Sequence, residues 1–303
     1  MRKSSSWHSL NADRGLSKIE KIRWMIYNII NNSMPQRNLD PNLNVKTFDL
    51  ENPDHNWQKV SSIASPARRM SDFFWLQLPW EQLAMELGSQ VSAVEVGCGS
   101  GRYGSLLKEC LGDKLIEYIG IDIKPHKDWR ELSKDNRFKF VVGDSSSMSE
   151  YLQSANLIIT QSALEHFDED LTFFRQISDY INSAGKPVIQ VHLMPSAGCQ
   201  MTFLWHGVRH YTPRTVSKIT KIFDSDTVKT LYSLGSRNCN RVHRRFITIP
   251  RRFGKGDQRE CKIGTYQSQL HDAIERDLQK PKKNEACFYA LLLQSNVMNP
   301  LAI

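Results

Sequence analysis

The chain has 303 residues, 40% of them hydrophobic and 24% charged, with a formal charge of +8 and a pI near 9.1. That balance excludes collagenous and disordered classes, and no apolar run is long enough to span a membrane, which leaves one large α/β domain with extensions. The six cysteines (Cys98, Cys110, Cys199, Cys239, Cys261 and Cys287) form no C-x-x-C pair, so free thiols are expected rather than a disulfide framework or a zinc ribbon.

The start, Met1-Arg2-Lys3-Ser4, leads into no apolar signal core, and a cytoplasmic protein is expected. The charge is uneven. From Arg237 to Lys262 nine basic residues face only Asp257 and Glu260, so this segment carries seven of the eight net positive charges.

Residues 1 to about 15 are polar and aperiodic and read as a mobile tail. Leu16, Ile19, Ile22, Ile26, Ile29 and Ile30 then recur at helical spacing. Lys18, Lys21 and Arg23 suggest a membrane-surface helix, but Glu20 and the asparagines dilute the basic face, so packing on the main domain is the better-supported expectation. The run from Pro35 to Asn56 reads as a linker arm. A helical stretch after Pro66, interrupted at Pro79, carries Phe73, Phe74, Trp75, Leu78, Trp80, Leu83 and Leu87 toward a core.

From Gly88 onward strands alternate with helices, the signature of a parallel sheet covered on both faces. Strands are predicted near 92–96, 117–121, 138–142, 156–160, 187–192 and 226–233, and a last one at 286–293. The clearest helix spans 168–183, with Asp168 as cap and Gly185 as stop. The division expected is 1–60 as tail, helix and arm, and 61–303 as the main domain, with an insert at about 196–213 and a basic loop at about 237–262.

Val94-Glu95-Val96-Gly97-Cys98-Gly99-Ser100-Gly101-Arg102-Tyr103-Gly104 runs from a buried strand through glycines into a helix, whose free N–H groups point at the turn. Asp122, ending the second strand, is placed to accept both hydroxyls of a ribose. Gly99 to Gly104 also matches the G-x-G-x-x-G pattern, so NAD fits these residues as well. Three features favour S-adenosylmethionine: Glu95 inside the first strand, where a pyrophosphate would be awkward; Gly143-Asp144 after the third strand; and the polar loop Thr160-Gln161-Ser162-Ala163-Leu164-Glu165-His166 after the fourth.

Together these segments, covering about residues 90–195 and the terminal strand, resemble class I S-adenosylmethionine-dependent methyltransferases. The resemblance implies a Rossmann-like, seven-stranded, mostly parallel sheet with helices on both faces, plus the N-terminal helical extension. The final strand would lie antiparallel between the fifth and sixth. Glu95, Gly97, Gly99 and Gly101 would line the methionine portion of the cofactor, Asp122 with Ile123 the ribose, Asp144 and Ser145 the adenine, and Gln161 the methionine end.

For the acceptor side, His192 at the end of the fifth strand is the first candidate base and His166 the second, with a hydrogen-bonded structural role as the alternative for each. His206, Arg209, His210 and Tyr211 in the insert are candidate substrate contacts. His206 and His210 have helical spacing but no evident third ligand, so no metal is expected. The loop lacks an Asp/Asn-Pro-Pro-aromatic pattern, no Pro-Cys pair appears and the acidic metal-ligand set of catechol-type enzymes is missing, which leaves O-methylation of a small polar or glycan-type metabolite as the first reading and N-methylation behind it. An RNA methyltransferase using Arg237–Lys262, or a non-catalytic scaffold, are the alternatives.

Overall fold

A computed structural model of the chain describes residues 2–51, 53–281 and 285–303. Eight strands form one sheet: β1 (Leu43–Thr47), β2 (Val91–Val96), β3 (Leu115–Asp122), β4 (Phe138–Val142), β5 (Leu157–Gln161), β6 (Val188–Pro195), β7 (Val228–Leu234) and β8 (Phe288–Ser295). Their spatial order is β1-β7-β8-β6-β5-β2-β3-β4, and only β8 runs antiparallel to its neighbours. Every residue of β2, β5, β6 and β8 is buried, as strands covered on both faces require.

Eleven α-helices are described: α1 (Lys18–Asn32), α2 (Pro53–Trp57), α3 (Pro66–Gln77), α4 (Trp80–Glu86), α5 (Arg102–Leu111), α6 (Trp129–Leu132), α7 (Asp170–Ala184), α8 (Pro213–Thr220), α9 (Arg237–His243), α10 (Ile249–Arg252) and α11 (Ile263–Gln279). One face of the sheet packs on α3, α4, α5 and α11, and the other on α7 and α8. The sequence places β2 to β8 to within a few residues, and Gly185 ends α7 in the left-handed region as expected. Asp168 does not cap α7, because its carboxylate is taken by Asn11 and Arg14.

Four expectations are corrected. The sheet has eight strands rather than seven, because the arm contributes β1, paired parallel with β7 from Leu43↔Lys229 to Thr47↔Ser233. Its short, half-buried Leu-Asn-Val-Lys-Thr pattern has too little apolar content to stand out between asparagines and prolines.

The first residues are docked rather than mobile. Ser5 donates through its backbone N–H and its hydroxyl to the Asp170 carboxylate, at 2.7 and 2.5 Å.

Helix α1 packs on the domain through the face opposite its isoleucines. Trp24 Nε1 donates to the Gly207 carbonyl at 3.0 Å and Asn28 to that of Val208 at 3.2 Å, satisfying backbone groups that an isoleucine could not. Ile19, Ile22, Ile26, Ile29 and Ile30 face outward.

Finally, the basic segment is mostly helical. Residues Arg237–Arg252 form α9, a π-turn and α10, while Arg251 and Arg259 both pair with Asp257.

Candidate active site

The turn after β2 is bent by three left-handed residues, Gly97 (φ 77), Gly99 (φ 52) and Gly101 (φ 81). Two of them are closed by packing. A Cβ on Gly97 would lie 2.4 Å from the Ala163 Cβ, and one on Gly101 would lie 2.7 Å from the Phe140 ring. Gly99 is different, because a Cβ there would meet nothing within 4 Å. Its N–H donates to Asp122 at 2.8 Å and its carbonyl accepts from Trp129 Nε1 at 2.7 Å, so the open corner is rigid.

Asp122 ends β3 with its carboxylate half-exposed, and Ile123 beside it and Val142 at the end of β4 both present bare apolar surface. Glu95 is buried beneath the turn and accepts from the Tyr118 hydroxyl at 2.5 Å. Burial pushes its carboxyl up to about 8, with the Tyr118 bond and the Arg68 charge acting the other way.

Next to this corner, β5 ends at Gln161, whose amide oxygen accepts from Trp75 Nε1 at 2.9 Å. Ser162 follows in the left-handed region (φ 53), a conformation that costs a non-glycine residue energy and re-aims the chain into the next turn. That turn, Leu164–His166, opens on a cavity of about 280 Å³ lined by Ser65, Arg68, Ser162, Glu165, His166 and His206 among others. The cavity shares Ser65, Arg68, Phe203 and His206 with a wider cleft of about 590 Å³, whose far wall carries Arg251, Arg252 and Arg259. It lies at the carboxyl ends of β5 and β6, where open parallel sheets place ligands.

Inside the cavity, His166 Nδ1 lies 2.6 Å from Asp13 Oδ2. A carboxylate only accepts, so Nδ1 carries a proton, and Nε2 is the ring nitrogen left on the side of Glu165. Glu165 Oε1 is 3.9 Å from His166 Nε2 and 3.8 Å from His206 Nε2, and Glu165 itself is only 1% exposed. The Glu165 carboxylate raises the pKa of His206.

Residues 87–226 match the family model of a methyltransferase domain. That segment of the chain is a methyltransferase domain. No curated protein sequence matches it significantly. Among solved structures it is similar to the plantazolicin methyltransferase BamL in complex with a triazolic desmethylPZN analog and SAH (12% identity, covering 80% of this chain and 88% of that one, TM-score 0.46). A sarcosine dimethylglycine methyltransferase from Galdieria sulphuraria, described as putative in its structure, is similar over 79% of this chain and 95% of that one (15% identity, TM-score 0.45). So is the Burkholderia thailandensis 1,6-didemethyltoxoflavin-N1-methyltransferase, over 92% and 90% of the two chains (11% identity, TM-score 0.40).

The residues of this methyltransferase fit its cofactor. Gly99 leaves the close approach open, Asp122 stands where a ribose diol can donate, and Ile123 and Val142 offer a flat ring apolar cover. Asp144 lies in the loop after β4, but one of its oxygens is engaged in a local turn with the Ser146 N–H (2.8 Å) and hydroxyl (2.5 Å), and those bonds lower its pKa. Ser145 is the next residue of that turn. Glu95 supports the turn from below through Tyr118, and Gln161 at the end of β5 holds Trp75.

The acceptor-side expectations are largely corrected. His192 is fully buried, with its ring against Phe174 and Thr160, and burial pulls its imidazole down to about 3. It shares the α7 face of β6 with Met194, so it cannot reach an acceptor.

Arg209 is also fully buried. It binds Ser6, Asp170 and the carbonyl oxygens of Phe167 and Asp168. Tyr211 donates into the same Asp170 cluster, and His210 is sealed against Trp24. Of the four insert candidates only His206 lines the cavity. Arg68, Ser65 and Asp13 escaped the sequence reading, and Ser162 and Glu165 entered it only as members of the polar loop after the fourth strand. The one local sign for Arg68 was the basic pair Arg68-Arg69 just ahead of the aromatic run Phe73-Phe74-Trp75.

Proposed function

We propose that this methyltransferase modifies a hydroxyl oxygen of a small polar or glycan-type metabolite that carries negative charge. The observation behind the reading is the continuity of two spaces: a polar inner cavity beside Gln161 and Ser162, and an outer cleft walled by Arg251 and Arg252. The bound cofactor would supply an electrophilic methyl group on a sulfonium. The chain's own part is to align the acceptor, exclude water and receive its proton. Ser65, Ser162 and Arg68 offer hydrogen bonds to sugar-like hydroxyls, while Glu165, His166 and His206 face the proton that must leave. Arg251 and Arg252 would hold an anionic group outside the inner cavity.

The test is an acceptor screen with methyl-labelled cofactor, comparing phosphorylated or carboxylated hydroxyl compounds with neutral ones. Anionic hydroxyl acceptors should be labelled, and Arg251→Ala with Arg252→Ala should raise KM for them with little change in kcat. Labelling confined to amines, or to RNA with a steep loss of binding as salt rises, would overturn it.

A further inference from the structure

We propose that Glu165, His166 and His206 form a binding site for a zinc-class divalent cation in the acceptor cavity. This rests on the reading of that cavity as the acceptor site and assigns it a group that polarises the acceptor. One carboxylate oxygen of Glu165 and one imidazole nitrogen each of His166 and His206 lie within 4.8 Å of one another. Moving each by a few tenths of an ångström brings them to the roughly 2.0–2.2 Å bonds that zinc forms with nitrogen and oxygen.

Two further observations point to a ligand there. Glu165 Oε2 is buried and makes no hydrogen bond, and an unpartnered buried carboxylate is costly unless a cation faces it. His166 has the arrangement of a metal-binding histidine, with Nδ1–H held by the Asp13 carboxylate at 2.6 Å and Nε2 turned to the cluster. Three protein ligands beside a cavity of about 280 Å³ leave the fourth position facing the acceptor, which is the pattern of a catalytic site rather than a closed structural one.

There the cation withdraws electron density from the acceptor hydroxyl and lowers its pKa. With Glu165, His166 and His206 occupied as ligands, the hydroxyl proton leaves through the adjoining outer cleft to solvent instead of staying on one of those side chains. The oxygen lone pair then forms the new O–CH3 bond as the S–CH3 bond of the sulfonium breaks, and the sulfur leaves as a neutral thioether. Charge balances, because an oxyanion and a sulfonium give two neutral products.

Zinc chloride titrated into tag-free, chelator-treated full-length protein tests the site without turnover. One equivalent should bind per chain, and cobalt(II) in its place should give the intense visible bands of a low-coordinate site. His206→Ala should weaken zinc binding at least tenfold while leaving cofactor binding intact, which shows that the variant is folded. His271→Ala, in a separate exposed cluster, should change nothing. Zinc affinity no tighter in the parent than in His206→Ala overturns the site. A bound zinc with methylation only at nitrogen leaves the site standing and overturns the hydroxyl acceptor, so the two failures are distinguishable.

A different observation carries a second inference: the outer face of α1 docks on an anionic phospholipid surface. At about 100° per residue, Ile19, Ile22, Ile26, Ile29 and Ile30 occupy an arc of about 100° opposite Trp24, Asn28 and Asn31. All five are exposed, between 45% and 65%. Lys18 and Arg23 border the arc and Lys21 lies beyond Lys18, while Glu20 lies off the arc and is held by Ser17 in the capping box.

Exposed Trp7, packed on Tyr27, and Trp205, bonded to the Lys21 carbonyl, flank the helix, as tryptophans do at the headgroup level. A second copy laid face to face would set basic rim against basic rim, so an anionic lipid surface is the complementary partner. Phosphatidylcholine vesicles with and without phosphatidylserine, sedimented with the full chain, test this. Binding should require phosphatidylserine, fall with salt and drop at least tenfold in Ile22→Glu/Ile26→Glu. No vesicle binding, or a dimer that the same variant dissociates, would overturn it.

Discussion

Asp13 accepts a hydrogen bond from His166 Nδ1 at 2.6 Å across 153 positions of sequence, and Gly207 N–H donates to the other oxygen of the same carboxylate at 3.2 Å. The acid therefore fixes both the tautomer of the histidine and the entry to the His206 turn. Replacing it with asparagine keeps the shape and removes the charge. Asp13→Asn should weaken zinc binding by about 10–100-fold, the usual effect of an outer carboxylate on a metal-binding histidine, with cofactor affinity unchanged. Paired titrations of zinc and of S-adenosylmethionine read the two effects separately, and equal losses in both would point to misfolding instead.

The two glycines at the turn separate stability from binding. Gly97→Ala drives a Cβ to 2.4 Å from that of Ala163 at a φ of 77, so it should destabilise the domain by about 2–4 kcal/mol. Gly99→Ala meets no atom and should cost only about 1–2 kcal/mol from its left-handed φ, yet its methyl enters the cofactor corner. Urea melts and calorimetry with S-adenosylmethionine should show Gly99→Ala as the more stable of the two, and still unable to bind.

Asp122→Ala should reduce S-adenosylmethionine affinity at least tenfold, because it removes the ribose acceptor and frees the Gly99 N–H. NAD should bind neither protein. Retention of tight cofactor binding by the variant would remove Asp122 from the site.

Glu95 makes the apo protein sensitive to alkali. Its carboxyl is raised to about 8 in the fold from an ordinary value of 4.5, so between those pH values the unfolded chain has released a proton that the fold retains. Its contribution to stability is therefore present below pH 4.5 and falls as pH rises toward 8. Glu95→Gln, which cannot ionise, should match the parent near pH 4.5 and gain on it by on the order of 1 kcal/mol per pH unit above that. Chemical melts at several pH values would show the curves diverging, and parallel curves would mean that Glu95 is ionised in the fold.

Arg209 and Asp170 lie 3.3 Å apart with no exposure of either side chain. Arg209→Met leaves the Asp170 charge buried and should cost about 3–5 kcal/mol. Adding Asp170→Asn should return part of that loss, and a strictly additive double variant would deny the coupling.

The cofactor half of the domain was legible because its signals are local. The buried strands read as apolar runs, and the glycines, Asp122 and Asp144 sit within a few residues of strand ends. The acceptor half is assembled from contacts more than 150 residues apart, such as Asp13 with His166 and Trp24 with Gly207, and no periodicity reports those. His192 misled for a different reason. Its place at the end of a central strand suits a base, but residues alternate along β6, and His192 shares its side with Met194 rather than with Leu193. The isoleucines of α1 misled because apolar spacing reveals which face is apolar and not which face is inward. There the hydrogen-bonding needs of the Gly207–Val208 turn outweighed burial.

The docking of Ser5 and Asp13 onto residues 166–209 also fixes an order of assembly. During synthesis these first residues emerge long before Asp170, Gly207 and Arg209 exist, so the nascent chain carries them unpaired while the sheet forms around β2 and β5. The glycine corner can close on partners no further apart than Trp75 and Gln161, 86 positions, whereas the wall holding His166 waits for the segment at 207–209. A chain stalled before β8 would thus present a formed glycine corner beside an unfinished cavity, because Phe288 also lines it.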